Sequence, residues 1–206
     1  DLHRQLVPYG YDEINVNLGC PSGTVVSKKR GSGILAYPDM LDSFLDELYT
    51  KADFPVSIKT RVGFNDDELW PKLIEIYSKY PISELTVHPR VQKDFYKNTP
   101  RMDDFALAVQ KINPDKTILC YNGDITNANS FKALTDRFPD IDEIMIGRGL
   151  FTNPALIAEL KGISMDKAEL RERLKNWHDE ILSGYLSIFS HFPHEGNLGI
   201  YAWAVS

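Results

Sequence analysis

The sequence predicts a parallel α/β fold of about five strand–helix units, followed by the start of a helical segment. Three observations predict it. Short runs rich in Ile, Val and Leu alternate with longer amphipathic runs. The short runs do not alternate strictly between apolar and polar residues, as expected of parallel strands buried on both faces. Their starts recur roughly every 33 residues from Glu13 to Glu143, the size of one βα unit. Five units occupy about 160 residues, whereas eight need about 260, the scale of a closed (β/α)8 barrel. Length therefore leaves two forms open, a complete five-stranded sheet and part of a barrel.

The elements follow in order. The first strand is expected at Glu13–Leu18 and a helix at Pro38–Lys51. A second strand, Pro55–Thr60, leads to a helix over Asp66–Lys79, where Asn65 precedes three acidic residues suited to a first turn. Strands at Ser83–His88 and Thr117–Tyr121 are followed by helices at Met102–Ile112 and Asn127–Phe138. A fifth strand, Glu143–Ile146, precedes a helix at Pro154–Leu160, and Pro154 suits a first helical position. From Met165 to Phe189 the pattern is mainly helical, with Leu170, Leu174, Trp177, Ile181 and Leu182 as apolar positions. Residues 1–162 are thus expected as the α/β domain and 163–206 as a helical appendage that ends in the aromatic run Y-A-W-A.

Composition narrows the function. The net charge is −6, from 23 Lys and Arg against 29 Asp and Glu, which argues against a broad basic face but leaves room for a local basic groove. No run of about 18 uncharged apolar residues occurs, so no membrane span is expected. The N-terminus has no apolar signal region. The two cysteines, Cys20 and Cys120, do not form a C-x-x-C pair, which fits a reducing cytoplasm. No metal-ligand spacing stands out, and no metal is expected. No G-x-G-x-x-G fingerprint occurs, so a separate nicotinamide domain is not expected.

Ligands of parallel α/β folds bind at the carboxyl ends of the strands. There the sequence places Asn15, Asn17, Gly19 and Cys20, then Lys59 and Arg61, then His88 and Arg90, then Asn122, Gly123 and Asp124, and last Gly147, Arg148 and Gly149. The N-G-D and G-R-G turns each precede a helix. With Arg148 they read as a phosphate site, because glycine lets backbone N–H groups approach an anion. An inward lysine such as Lys59 is costly without a partner, which points to a cofactor. Cys120, inside an apolar run, reads as core.

These residues together resemble the tRNA-dihydrouridine synthase family of flavoenzymes. The resemblance runs from about Glu13 to Pro154. It rests on N-x-N-x-G-C-P, G-S-G-I-L from Gly31, I-K-T-R-V-G, H-x-R with a following Tyr96, N-G-D-I, and G-R-G with Asn153-Pro154, all in the family's order. It implies a TIM (β/α)8 barrel that carries FMN, of which about five βα units are present, and a helical tRNA-binding domain after it. The family's first strands have no counterpart in the sequence. The resemblance implies that Cys20 is the proton donor and that Lys59 and His88 contact flavin or uracil. It implies that Asn122, Gly123, Asp124, Gly147 and Arg148 hold the FMN phosphate end, and that Asn17 lies near the target base.

The implied reaction reduces the 5,6 double bond of a uridine in tRNA, with NADPH as the electron source. A uridine in folded tRNA must leave its stack to reach such a pocket. Lys28, Lys29 and Arg30 form the densest basic run and are expected to contact tRNA phosphate, with Arg90 and Lys93 adding to it. Two alternatives stand beside this reading: another FMN barrel enzyme similar to dihydroorotate dehydrogenases, and an inactive barrel fragment whose open strand edges favour association.

Overall fold

A computed structural model of the chain describes residues 2–189. The expected Y-A-W-A run lies outside the described residues. Five parallel strands form one sheet: β1 (Ile14–Leu18), β2 (Val56–Gly63), β3 (Glu84–Val91), β4 (Ile118–Asn122) and β5 (Glu143–Met145). Each pairs with the next in the chain, in the order β1-β2-β3-β4-β5. A doubly wound open sheet reverses its order at a switch point. This sheet never reverses, so its winding is that of consecutive units of a (β/α)8 barrel.

The strands alternate more strictly than expected. Val56, Ile58, Thr60 and Val62 on β2, Leu85 and Val87 on β3, and Leu119 and Tyr121 on β4 face the helices and are buried. The intervening residues face the other side and are mostly polar: Ser57, Lys59 and Arg61, then Thr86 and His88, then Cys120 and Asn122. The register puts Asn17, Lys59, Thr86, Cys120 and Glu143 in one row across the sheet. The expectation of two apolar faces is therefore corrected. One face is hydrophobic core, and the other carries hydrogen-bonding groups.

β2 and β3 also run three residues past their expected ends. Arg61 pairs with His88, and Gly63 with Val91, so β3 carries one extra residue over this stretch. Pro89 lies in that bulge, where its missing N–H costs no ladder bond.

Nine α-helices are described: α1 (Leu2–Leu6), α2 (Gly23–Val26), α3 (Pro38–Lys51), α4 (Trp70–Tyr77), α5 (Met102–Lys111), α6 (Ala128–Arg137), α7 (Arg148–Thr152), α8 (Leu156–Leu160) and α9 (Lys167–Phe189). Helix α4 starts four residues later than expected because Pro71 belongs in a first turn rather than a helix interior. Asn127 caps α6, its side chain accepting from the Ser130 amide at 2.9 Å. Leu41 and Leu45 of α3, Trp70, Leu73 and Ile74 of α4, and Phe105 of α5 are fully buried against the apolar face of the sheet. Each such side chain contributes roughly 1.5–3 kcal/mol of transfer free energy. Phe105 meets Tyr121 and Phe138 edge-on at 5.0 and 5.1 Å.

The chain divides into two compact units, the first ending at Leu156 and the second beginning at Ile157, earlier than the boundary expected after residue 162. In the second unit, Gly162 adopts a left-handed φ of +68° before the 23-residue helix α9. Trp177, Ile181 and Tyr185 lie along that helix and are each about half exposed. Among the described residues, no helix is long and apolar enough to cross a membrane.

Candidate active site

The carboxyl ends of all five strands open into one cleft of about 860 Å³. That is ample for a cofactor-sized ligand. Asn17, Cys20, Lys59 and His88 line it from one side. Asn122, Gly123, Asp124, Gly147 and Arg148 line it from the other. The structure thus gathers nine residues singled out in the sequence into one space.

Cys20 sits on a loop pinned from four directions. The Asn17 carboxamide oxygen accepts from the Gly19 amide at 3.0 Å. Arg61 Nε donates to the Gly19 carbonyl at 3.1 Å. Gln92 donates to the Pro21 carbonyl at 2.9 Å. The Cys20 carbonyl accepts twice from the fully buried Ser32, from its amide at 3.0 Å and its hydroxyl at 2.8 Å. Gly31 makes this approach possible. Its φ is +53°, and a Cβ there would lie 2.8 Å from the Cys20 oxygen. The half-buried thiol is held without being sealed off.

Lys59 is a half-buried cation without a carboxylate partner among the described residues. Its Nζ donates to Asn122 Oδ1 at 2.6 Å, and Asn122 in turn donates to the Met145 carbonyl at 2.9 Å. Burial, reinforced by the nearby Arg61 charge, lowers the ammonium pKa to about 8. A cation held this way favours an electron-rich ligand edge beside it.

His88 is buried, and its imidazole pKa falls to about 3. Burial is the main cause, and the charges of Arg61, Lys59 and Arg90 add to it. His88 is therefore neutral at physiological pH. Its Nε2 lies 3.1 Å from Arg90 Nη1.

Arg90 is not at the surface. Its side chain is 1% exposed, and all five N–H groups of its fork are engaged. Nε donates to the carbonyls of Lys97 and Asn98 at 2.9 and 3.0 Å. Nη1 serves Asp124 Oδ1 and His88 Nε2, and Nη2 serves Asp124 Oδ2 and the Asn98 carbonyl. The expected contact of Arg90 with tRNA phosphate is thereby corrected, since no donor is left over.

Asp124 is corrected in part. Its carboxylate bonds both Arg90 and Arg148, the latter at 2.9 Å, and these partners hold it below the usual carboxylate range. A carboxylate so placed aims two guanidinium groups rather than binding an anion itself. Arg148 also lies over the Tyr96 ring, 4.2 Å from its centroid. Gly149 lets the two glycine turns meet, because a Cβ there would lie 2.1 Å from the Ile125 carbonyl. Helix α7 has five residues and α6 is capped by its own Asn127, so Arg148 and backbone amides, rather than helix dipoles, are what this corner offers an anion.

Lys28, Lys29 and Arg30 are exposed on the turn after α2 and are not among the residues lining the cleft. Lys29 lies over the Tyr37 ring at 4.5 Å. On the same polar sheet face, the ligand atoms of Glu84, Cys120 and Glu143 lie within 4.8 Å of one another. Burial raises the Cys120 thiol to about 12, so it stays protonated.

Sequence reasoning gave no role to Arg61 and Ser32. Arg61 donates to the Gly19, Val91 and Phe95 carbonyls and so joins three strand-end segments. The signal was present. Lys59 and Arg61 are two apart and share a strand face.

A model of the family described as dihydrouridine synthase matches residues 4–191. The chain belongs to the dihydrouridine synthase family. It is 30% identical over 195 residues to a probable tRNA-dihydrouridine synthase of Staphylococcus aureus, covering 93% of this chain and 56% of that protein. It is 30% identical over 158 residues to tRNA-dihydrouridine synthase B of Pasteurella multocida, covering 76% and 46%. A probable tRNA-dihydrouridine synthase 2 of Bacillus subtilis is 30% identical over 148 residues, covering 70% and 45%. The chain thus spans about half the length of the curated relatives it matches. The family match favours the dihydrouridine synthase resemblance over the dihydroorotate dehydrogenase-like alternative.

Proposed function

We propose that this chain is the catalytic part of a cytoplasmic, FMN-dependent tRNA-dihydrouridine synthase, with residues 1–162 holding the cofactor and 163–206 contributing to tRNA binding. One observation carries the reading. A half-buried cation with no carboxylate partner among the described residues, a half-buried thiol and an arginine flanked by glycine turns share a single cleft. That donor set fits FMN. Arg148 and the amides near Gly123 and Gly147 suit its phosphate, and Lys59 suits the electron-rich edge of its ring. When bound, the flavin supplies hydride chemistry, with NADPH as the electron source.

The chain's own residues supply the rest. Lys59 places positive charge where negative charge develops on reduction. Cys20 gives its thiol proton to one carbon of the uracil double bond while the other receives the hydride. The resulting thiolate recovers a proton from solvent. Asn17, having spent its oxygen on the Gly19 amide, keeps its NH2 group for a uracil carbonyl. Lys28, Lys29 and Arg30 supply phosphate contacts outside the cleft.

The test is a titration of the purified chain with FMN, followed by assay on unmodified tRNA with NADPH. Saturable quenching of flavin fluorescence is expected, weakened at least tenfold in Arg148→Ala. Cys20→Ala is expected to lose uridine reduction and keep NADPH-driven flavin reduction. A folded chain that does not bind FMN would overturn the proposal.

A further inference from the structure

The hydrogen bond between Arg90 and His88 has a fixed direction. A guanidinium has no acceptor, so Arg90 Nη1 donates and His88 Nε2 accepts, at 3.1 Å. A neutral imidazole that accepts at Nε2 carries its proton at Nδ1. Arg90 cannot turn away to release it. Asp124 grips the guanidinium on one side, and the Lys97 and Asn98 carbonyls grip it on the other. His88 lines the cleft, and among the described residues no group pairs with its Nδ1.

We propose that Arg90 is a positioning residue that locks His88 in the Nδ1-protonated tautomer. His88 then offers the cleft one fixed N–H donor for a carbonyl oxygen or bare ring nitrogen of a bound heteroaromatic ring. The tautomer follows from the protein alone, and the use of the donor rests on the flavin reading. The carboxylate that aims Arg148 toward the anion corner also aims Arg90 toward His88. Asp124 thus connects the two ends of the cleft through two guanidinium groups.

The charged and titratable groups around the ring argue the same way. Lys59 and Arg61 on β2 and Arg90 on β3 all oppose a second proton. Asp124 after β4 favours one but is already paired with two arginines. Tyr96, on the loop after β3, lies 6.5 Å from the ring between centroids. His88 therefore acts as a hydrogen-bond donor of constant form rather than as a proton shuttle.

The experiment is nitrogen-15 NMR of the histidine rings in the full chain, with His88 assigned by its loss in His88→Asn. In the unmutated protein His88 is expected to show a protonated-type Nδ1 and a bare-type Nε2, unchanged from about pH 5.5 to 8.5. Titration within that range, or a proton on Nε2, overturns the proposal without need of any further variant. Arg90→Met is expected to release the ring into mixed tautomers and to raise its pKa only in part, because burial and the Lys59 and Arg61 charges remain. Arg90→Lys keeps a donor and is expected to restore the Nδ1-protonated form. An Arg90→Met protein that folds and keeps the original tautomer refutes the positioning role. Added FMN is expected to shift the Nδ1 resonance. Bound FMN with an unmoved Nδ1 removes the donor role, whereas failure of FMN to bind removes the flavin reading and leaves the tautomer standing.

Discussion

Replacing Gly31 with alanine tests whether the position of Cys20 is enforced from behind. Gly31 has φ +53°, and a new Cβ would stand 2.8 Å from the Cys20 carbonyl oxygen and 3.0 Å from Cys20 Cβ and Val25 Cγ1. A left-handed conformation costs a residue with a Cβ about 1–2 kcal/mol. Carbon contacts relax to about 3.5 Å or more, so Cys20 must retreat by roughly 0.5–1 Å. The backbone cost alone corresponds to a fall in melting temperature of about 2–8 °C for a chain of this size. A shift of about 1 Å in a reacting group can lower turnover on the order of 100-fold. Gly31→Ala is therefore expected to lower uridine reduction by about 10- to 100-fold. FMN affinity should stay within about twofold, because the phosphate corner lies on β4 and β5. The assay is single-turnover reduction of tRNA uridine at a temperature where both proteins are folded. Full turnover in a folded Gly31→Ala protein would refute the claim that this contact sets the reach of the thiol.

Four further outcomes are expected. FMN binding should weaken as pH rises through about 8, by up to tenfold per unit, because the ammonium of Lys59 loses its proton there; Lys59→Met should bind more weakly and lose this dependence in a fluorescence titration. Asp104 has a buried oxygen without a partner, and burial together with Asp67 raises its carboxyl to about 7, so the folded state holds a proton that the unfolded state releases near pH 4. Stability should therefore fall as pH rises from about 4 to 7, and Asp104→Asn should flatten that fall by on the order of 1–2 kcal/mol in urea unfolding. Replacing Lys28, Lys29 and Arg30 together by alanine should reduce the log–log salt slope of tRNA binding by about 2–3, and an unchanged slope would remove them from the interface. Cys120→Ala should cost about 1 kcal/mol in urea unfolding and leave uridine reduction in place, in contrast to Cys20→Ala.

The sequence carried the site more completely than it carried the ends of the elements. Twelve of the fourteen residues read at strand ends do meet in one cleft, because a parallel βα repeat puts every strand's carboxyl end on one side. The extensions of β2 and β3 were not legible. A buried arginine looks like a strand-ending charge until its partners are known, and Arg61 finds a carbonyl on β3 and Arg90 a carboxylate after β4, each about 30 residues further along the chain. The same cause misplaced Arg90 at the tRNA surface. The role of Ser32 was hidden because its partner, the Cys20 carbonyl, is a backbone group without a sequence signature. The late start of α4 was legible in Pro71, whose preference for a first turn outweighs the acidic run before it.

The unbroken strand order has a consequence for how the molecule forms. Each strand finds its partner in the strand just before it, so no segment must wait for a distant one. Order can therefore advance from β1 to β5 in step with synthesis, one βα unit at a time. The cleft does not mature in the same gradual way. Its thiol arrives with Cys20, its cation with Lys59, and its second guanidinium only with Arg148. All three exist together only once synthesis has passed Arg148, so the donor set of the cleft is completed with the last of these five strands, whereas the sheet itself grows strand by strand.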